Sequence, residues 1–375
     1  MRTPIPFRAR LHDPRTAVAI GRWLGPAVLL CFLTGLVGHG LQTPPGWLAP
    51  HLPSRPVWGY RVTQGVHVAT GIALVPLLTA KLWTVHPRLW RWPPVRSAEH
   101  ALERLSIAVL VATAVLQVFL GLMNIAQWYV WPFGFKRVHW ALAWVLAGAL
   151  LLHLAVKAPV IAAHWRADRR ERERDPDAGD RRSLLLGVGA AVGAVTLVTV
   201  GQTLTPLRRA TLLAPRRPSG DGTRQGIPVN HTAAQAGVAS VDADAWRLRV
   251  SGPDGYALTL RELRALPQHT ARLPIVCVEG WSASAEWTGV RLRDLVERAG
   301  APHRSSVRVV SSQRHGAYRV MEMGHTYAED ALTLLALMIN GEVLSPDHGF
   351  PARIIAPNRP GVWQTKWVSR IEVLR

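Results

Sequence analysis

Residues 184–204, LLLGVGAAVGAVTLVTVGQTL, contain no charged side chain. A bilayer span needs about 20 mostly apolar residues, because the hydrocarbon core is about 30 Å thick and a helix rises 1.5 Å per residue. This stretch meets that requirement. Four others precede it, at about residues 23–41, 62–85, 105–126 and 138–163. Lys81 lies late in the second and Lys157 near the end of the fourth. So many uncharged runs in the first 205 residues do not suit the buried core helices of a soluble protein. They predict five transmembrane helices, four in a bundle and the fifth an anchor.

Charge gives the orientation. The 375 residues hold 44 Lys and Arg against 24 Asp and Glu, a net +20. Such an excess suits nucleic acid, an anionic surface, or the cytoplasmic loops of a membrane protein. Arg2, Arg8, Arg10, Arg15 and Arg22 precede or enter the first span, whereas the next loop has only Arg55 and Arg61. Arg88, Arg91, Arg96 and Arg104 fill the second loop, Lys136 and Arg137 the third, and Arg166, Arg169, Arg170, Arg172, Arg174, Arg181 and Arg182 the fourth. The alternation places the N-terminus in the cytoplasm. An odd number of spans then puts the C-terminal part on the outer, periplasmic side of an inner membrane. Nucleic acid is not needed to explain the charge. Arg208, Arg209, Arg216, Arg217 and Arg224 run against the alternation, but the bias fades for large translocated domains. Arg181 and Arg182, followed by an apolar run in DRRSLLLGVGAA, resemble a twin-arginine export signal inside the chain.

The spans carry histidines but no acidic residue to pair with them. His139 and His153 are 14 residues apart in the fourth span. That is about 40° short of four full turns, so they share a face, roughly 21 Å apart along the axis. Imidazole is a strong iron ligand, and a haem can take two from different helices. His67 in the second span lies level with His139, the better pair, for an outer haem. His153 needs a second ligand, assigned weakly to His86; His39 lies at the wrong depth. TGLVGHG in the first span, GVHVATGIALVP in the second and the paired histidines of the fourth are similar to the membrane cytochrome b subunits of hydrogenases and formate dehydrogenases. The resemblance covers about residues 15–165 and implies one or two b haems in a four-helix bundle. In that family an inner-haem ligand lies early in the first span; here AIGRWLG has no histidine, so a single haem is equally compatible.

Beyond the fifth span the texture changes. Residues 1–165 form the membrane domain, 166–205 the basic loop and fifth span, 206–228 a linker rich in Pro, Arg and Gly, and 229–375 a separate domain. WRLRVSG, YALTL, SVRVVSS, AYRVMEMG, ARIIAPN and WVSRIEVLR read as strands. LRELRALP, VRLRDLVERAG and DALTLLALMIN read as helices. The prediction is an α+β domain of about 150 residues, large enough for its own core.

The two cysteines, Cys31 and Cys277, are too few for a disulfide scaffold or a four-cysteine zinc site. Cys277 reads as a buried thiol, a nucleophile or a metal ligand. VCVEGWSASAEWTGVRLRDLVERAG, LALMINGEVLSPDHGFPARIIAP and WQTKWVSRIEV resemble the sulfite-oxidase family of molybdenum enzymes, in its methionine-sulfoxide-reductase-like branch. IPVNHTAAQAGV stands where that family has its first pterin-contacting loop. The resemblance covers about residues 225–375. It implies that Cys277 is a soft thiolate ligand of molybdenum. It implies pterin contacts at Asn230 and His231, pterin and phosphate contacts at His348 and Arg353, and a phosphate contact at Lys366. Tyr318 resembles the active-site tyrosine. VEGWS replaces the arginine-bearing stretch with which animal and plant sulfite oxidases help to bind sulfite. The chain ends at Arg375, without their immunoglobulin-like dimerisation domain, so that dimer is not expected.

Together these readings predict a membrane-anchored molybdopterin enzyme that exchanges electrons with the quinone pool through haem b and reduces a sulfoxide or another small oxo-acceptor. Oxidation of sulfite or a related compound is the alternative. A haem protein that has lost its molybdenum chemistry is a third.

Overall fold

The computed structural model describes residues 11–90, 92–93, 95–165, 177–201, 203, 207, 210–213, 225–238 and 241–374. Arg2, Arg8, Arg10, Arg91, most of the basic loop after the fourth span and the Arg208–Arg224 run named above lie outside the described residues. The chain divides into two compact units: Met1–Leu33 with Val66–Val200, and Thr34–Gly65 with Gly201–Arg375.

Five long helices dominate the N-terminal half: α1 (Pro14–Gln42), α2 (Gly59–Leu89), α3 (Ala98–Ala126), α4 (Phe135–Trp165) and α5 (Ala178–Val200). Each contains an 18-residue window of mean hydropathy between 1.6 and 2.4, long and apolar enough to cross a membrane. Large apolar side chains such as Leu29, Leu33, Leu105, Leu151 and Leu186 are exposed. A surface of this kind is suited to lipid rather than water. Pro26, Pro76 and Pro159 lie inside the helices. α3 starts at a polar cap, where the Ser97 hydroxyl accepts from the His100 N–H at 3.1 Å. It ends at Gln127 in the left-handed conformation, φ 56°.

The helices extend beyond their apolar windows. α3 therefore includes Glu103, which pairs with Lys157 of α4. The apolar spans themselves hold no acidic residue, and Glu103 lies just outside the third. Helix ends continue into the polar boundary, where charged groups can keep contact with water.

The second unit contains two five-stranded sheets. One runs in the order β2 (Tyr256–Thr259), β1 (Arg247–Ser251), β10 (Val368–Leu374), β5 (Ser306–Ser311), β6 (Val320–Met323). β1 and β10 are parallel. The other joins β3 (His269–Val276), β4 (Ser282–Arg291), β7 (Leu334–Ile339) and β8 (Glu342–Val343), with β9 (Arg353–Ile355) also on β7. Short helices α6 (Leu260–Ala265), α7 (Leu292–Arg298) and α8 (His325–Ala328) complete the unit. α6 begins with a reciprocal capping box between Thr259 and Glu262.

The expected helix over DALTLLALMIN is instead strand β7. Leu334, Leu335, Ala336 and Leu337 are all buried, between β4 on one side and β9 on the other. A central strand covered on both faces reads as a continuous apolar run, which periodicity alone does not separate from a buried helix. Asn340 and Gly341, with φ of 50° and 80°, then turn the chain into β8. An Asn-Gly pair is the preferred two-residue hairpin turn. β3 and much of β4 were not anticipated from the sequence; HTARLPIV contains a proline, and SASAEWTG is rich in small polar residues.

The segment joining α1 to α2 is built into this unit. Leu52 is part of its larger apolar core, and Val57 packs on the smaller one. Arg55 makes a two-pronged ion pair with Asp330 at 3.0 and 2.9 Å. Thr326 donates to the Leu52 carbonyl and the Trp363 indole to that of Gln42. Asn358 holds the centre. Its Oδ1 accepts from the Tyr60 N–H at 2.6 Å and its Nδ2 donates to the Pro53 carbonyl at 2.8 Å. Asn358 thus caps the start of α2, whose first N–H groups have no partner within the helix. Its own φ of 52° suits asparagine better than most residues.

Asn358→Ala is expected to destabilise the protein by about 2–4 kcal/mol, since it strands a buried N–H and a buried carbonyl and places alanine at positive φ. Thermal unfolding followed by the fluorescence of the chain's tryptophans measures this. Exposed Arg55→Ala is expected to cost about 1 kcal/mol or less.

Candidate functional site

Cys277 sits in the five-residue turn from β3 to β4. The Cys277 N–H donates to the Trp281 carbonyl at 2.9 Å, closing the turn. Gly280, φ 94°, takes a conformation that a side chain would oppose. The thiol is 7% exposed. Burial, and then the Glu279 carboxylate, push its pKa up, while the backbone N–H groups of Glu279 and Val278 and the Asn230 amide pull the other way. Asn230 Nδ2 lies 2.8 Å from Sγ. Its orientation is fixed, because the Trp281 indole N–H, which can only donate, bonds to Asn230 Oδ1 at 3.0 Å.

The thiol opens into a cavity of about 390 Å³. Asn230, His231, Tyr318, His348, Arg353 and Lys366 line it together with Cys277. The structure thus brings together all seven candidate residues from this half of the chain, which the sequence spreads over some 140 positions.

One pole of the cavity is cationic. Arg353, at the start of β9, is 3% exposed and donates to the carbonyls of His348 at 3.0 Å and Gln364 at 3.3 Å. Its Nε is buried without a partner. Its guanidinium lies 5.0 Å from the Trp287 ring centre. Burial lowers its pKa to about 9. Lys366 Nζ donates to the carbonyls of His231 and Asp347, both at 2.7 Å. Burial, then the Arg353 charge, lower its pKa to about 7. His348 is held by Ser345 Oγ at 2.9 Å and the Ile227 carbonyl at 3.1 Å. Burial is the main cause that lowers its pKa to about 4. His231 is lowered too, by burial and then by Lys366. Gly349 makes the convergence possible: a Cβ there would come within 3.0 Å of Lys366 Cβ and 3.1 Å of Arg353 Cβ.

Arg353 and Lys366 make these hydrogen bonds to backbone carbonyls, none to a carboxylate. Desolvated cations with no hydrogen bond to a carboxylate are costly, and an orphaned guanidinium N–H adds to the cost. The donor set therefore fits an anion such as a phosphate ester. Tyr318 also lines the cavity, its ring edge-on to Trp363 at 5.2 Å. Burial, then the nearby Cys277, raise its pKa.

Sequence reasoning missed several contributors. Gln64 donates to the Val278 carbonyl at 3.1 Å, and Thr203 donates to the Gly280 carbonyl. Gln364 buttresses β9 through the Ala356 N–H and carbonyl. A capping role for a distant glutamine or threonine leaves no local motif in a sequence; the Trp281–Asn230 pair is visible only as two donor-bearing residues.

In the other unit the rings of His67 and His139 lie 6.3 Å apart, at 86° to one another. His67 Nδ1 lies 2.9 Å from the Cys31 carbonyl oxygen. His139 stacks on Phe135 at 5.0 Å, and its Nδ1 is buried without a partner. A Cβ on Gly121 would come 3.9 Å from the His139 ring. The second expected pair is not brought together among the described residues. His86 faces Trp90 at 6.4 Å, whereas His153 lies within electrostatic range of Lys81, Lys157 and Glu103.

A bound anion favours the ammonium form of Lys366 and so raises its pKa above the free value of about 7. The gain is fully present below that pH and is lost as pH rises towards the bound-state value. Sulfate, whose charge is constant over this range, is expected to bind the cofactor-free protein roughly tenfold more tightly at pH 6 than at pH 9. Titration calorimetry reads this, and Lys366→Met is expected to flatten the profile.

Residues 235–375 match the model of the oxidoreductase molybdopterin binding domain. The chain is 32% identical over 168 residues to a putative protein-methionine-sulfoxide reductase subunit, YedZ1, of Azospira oryzae, covering 43% of this chain and 61% of that protein. It is 31% identical over 160 residues to the uncharacterized oxidoreductase YuiH of Bacillus subtilis, covering 42% and 78%. With the mitochondrial sulfite oxidase of Rattus norvegicus it shares 28% identity over 175 residues, 39% of this chain and 32% of that one. It therefore spans about three fifths of the first relative and a third of the last. The sulfane dehydrogenase SoxCD of Paracoccus pantotrophus superposes with a TM-score of 0.33 at 22% identity, over 36% of this chain and 39% of that one. By sequence, the chain belongs to the sulfite oxidase family of molybdopterin-binding oxidoreductases.

Proposed function

We propose that this oxidoreductase reduces a sulfoxide at the Cys277 cavity, with electrons drawn from membrane quinol through a b haem. The observation that carries the reading is that one cavity joins a buried thiol to a set of buried cationic donors. His348, Arg353 and Lys366 would hold the pterin and its phosphate, with His231 beside them. Cys277 would ligate molybdenum, and Asn230 would steady the thiolate. A metal-bound thiol is deprotonated, which overcomes the burial that otherwise raises its pKa. Molybdenum, when bound, supplies two-electron oxygen-atom transfer.

The remaining walls suit a neutral substrate. Glu279, Trp281, Val362 and Tyr318 line the cavity near the thiol. The turn that bears Cys277 contains no cation, and its one charged side chain is the Glu279 carboxylate. A carboxylate repels sulfite and tolerates a sulfoxide. Reduction follows R2SO + 2 e− + 2 H+ → R2S + H2O. Tyr318, whose hydroxyl keeps its proton under these surroundings, would donate a hydrogen bond to the sulfoxide oxygen.

The electron route rests on His67 and His139. Two imidazoles that share one metal at about 2.0 Å each have ring centres roughly 6 Å apart, and the distance here is 6.3 Å. The Cys31 carbonyl oxygen lies 2.9 Å from His67 Nδ1, a bond of the kind that orients metal-bound histidines through the nitrogen not on the metal. The pair fits one haem iron. The charge alternation supports a cytoplasmic N-terminus and an outward molybdopterin domain. Arg181 and Arg182, in α5 ahead of its apolar run, suit export of a domain that folds around its cofactor first.

Purified protein is expected to oxidise a reduced viologen with methionine sulfoxide or an aryl methyl sulfoxide, and to show no sulfite oxidation above background. Cys277→Ser is expected to lose molybdenum and at least a thousandfold in turnover, by metal analysis and viologen assay. Sulfite oxidation outpacing sulfoxide reduction would reverse the proposed direction. His67→Ala with His139→Ala is expected to abolish the b-type reduced-minus-oxidised spectrum while viologen-linked turnover persists; an unchanged spectrum would reject the haem assignment.

A further inference from the structure

The turn that carries Cys277 is secured from outside at two carbonyls. Gln64, in the second turn of α2 and 5% exposed, donates its Nε2–H to the Val278 carbonyl at 3.1 Å. Thr203, after the end of α5, donates its hydroxyl to the Gly280 carbonyl. The approach is close: a Cβ on Gly65 would come 3.0 Å from Thr203 Cγ2. Gln64, Thr203 and the turn belong to the same compact unit.

The Val278 carbonyl shares a peptide plane with the Glu279 N–H. That N–H is one of the groups that pull the Cys277 pKa down. Gln64 therefore grips one end of the peptide whose other end serves the thiolate. Such chained hydrogen bonds polarise one another, so each strengthens the next. Rotation of this peptide would break both bonds, and the Gln64 bond opposes it.

We infer that Gln64 is a positioning residue for the metal thiolate, acting through the Val278–Glu279 peptide to set the reduction potential of the bound metal. This rests on the assignment of Cys277 as metal ligand. A hydrogen bond to a thiolate withdraws electron density from the sulfur, weakens its donation to the metal and favours the reduced metal. Loss of the Gln64 donor turns the peptide or weakens its N–H, so the potential falls. Thr203 holds a different peptide, Gly280–Trp281, and is a control for general loosening of the turn.

The test uses the full-length, molybdenum-loaded protein in detergent or nanodiscs. The midpoint potential of a one-electron molybdenum couple is measured by redox titration followed by electron paramagnetic resonance. Gln64→Met, similar in size but without a donor, is expected to keep its molybdenum and to shift the couple about tenfold towards the oxidised form, about 59 mV lower for one electron. Gln64→Leu, which also lacks a donor, is expected to shift it in the same direction, and carries the test where Gln64→Met accumulates poorly. Thr203→Val is expected to shift it less, and Thr203→Ser to leave it at the wild-type value. An unchanged potential in the Gln64 variants overturns the inference, as does an equal shift in Thr203→Val. A Cys277→Ser protein whose molybdenum signal and potential match the wild type would instead overturn the ligand assignment itself, independently of the Gln64 result.

Discussion

Arg353 and Lys366 are buried at one cavity without a carboxylate on either hydrogen-bonding group. Much of the domain is arranged to tolerate that charge. Backbone carbonyls from three stretches turn inward to bond them. Trp287 and Trp367 lay aromatic faces beside the two cations, at 5.0 and 4.9 Å. Gly349 stays bare so that the two side chains can approach each other. Such a donor set suits an anion, and the phosphate of a pterin is one.

The thiol faces the opposite electrostatic problem. Burial and Glu279 both disfavour its charge, while backbone N–H groups and Asn230 favour it. The cationic side of the cavity therefore suits an anion, whereas the thiol keeps its proton unless a bound metal displaces it. The surrounding sheets supply rigidity: β3 and β4 pair over eight consecutive positions up to the turn, so the sulfur sits at the end of a stiff hairpin.

How much of this the sequence disclosed differs between the halves. The membrane helices were legible because lipid demands long uncharged runs, a signal that any order of residues within the run preserves. Their ends were less legible, and Glu103 entered α3 because helix hydrogen bonding continues past the apolar boundary. In the second half the strands with clean alternation were found. The residues of β7 read as a helix because burial on both faces erases the alternation that marks a strand. The seven cavity residues were found because long motifs, not periodicity, pointed to them.

By itself the sequence determined the class of the molecule: apolar runs of spanning length, charge that alternates with them, and motif residues whose side chains suit a metal thiolate and an anionic phosphate. Those properties belong to single residues and short windows, so they survive without a fold. Tertiary structure decided which groups meet. It brought His67 and His139 within ring contact but left His86 beside Trp90. It inserted the α1–α2 segment into the core through Leu52 and Asn358. It also placed Gln64 on the Val278 carbonyl across 214 positions of chain. A hydrogen bond between such distant residues depends on the path of the whole backbone between them, and no local pattern encodes it.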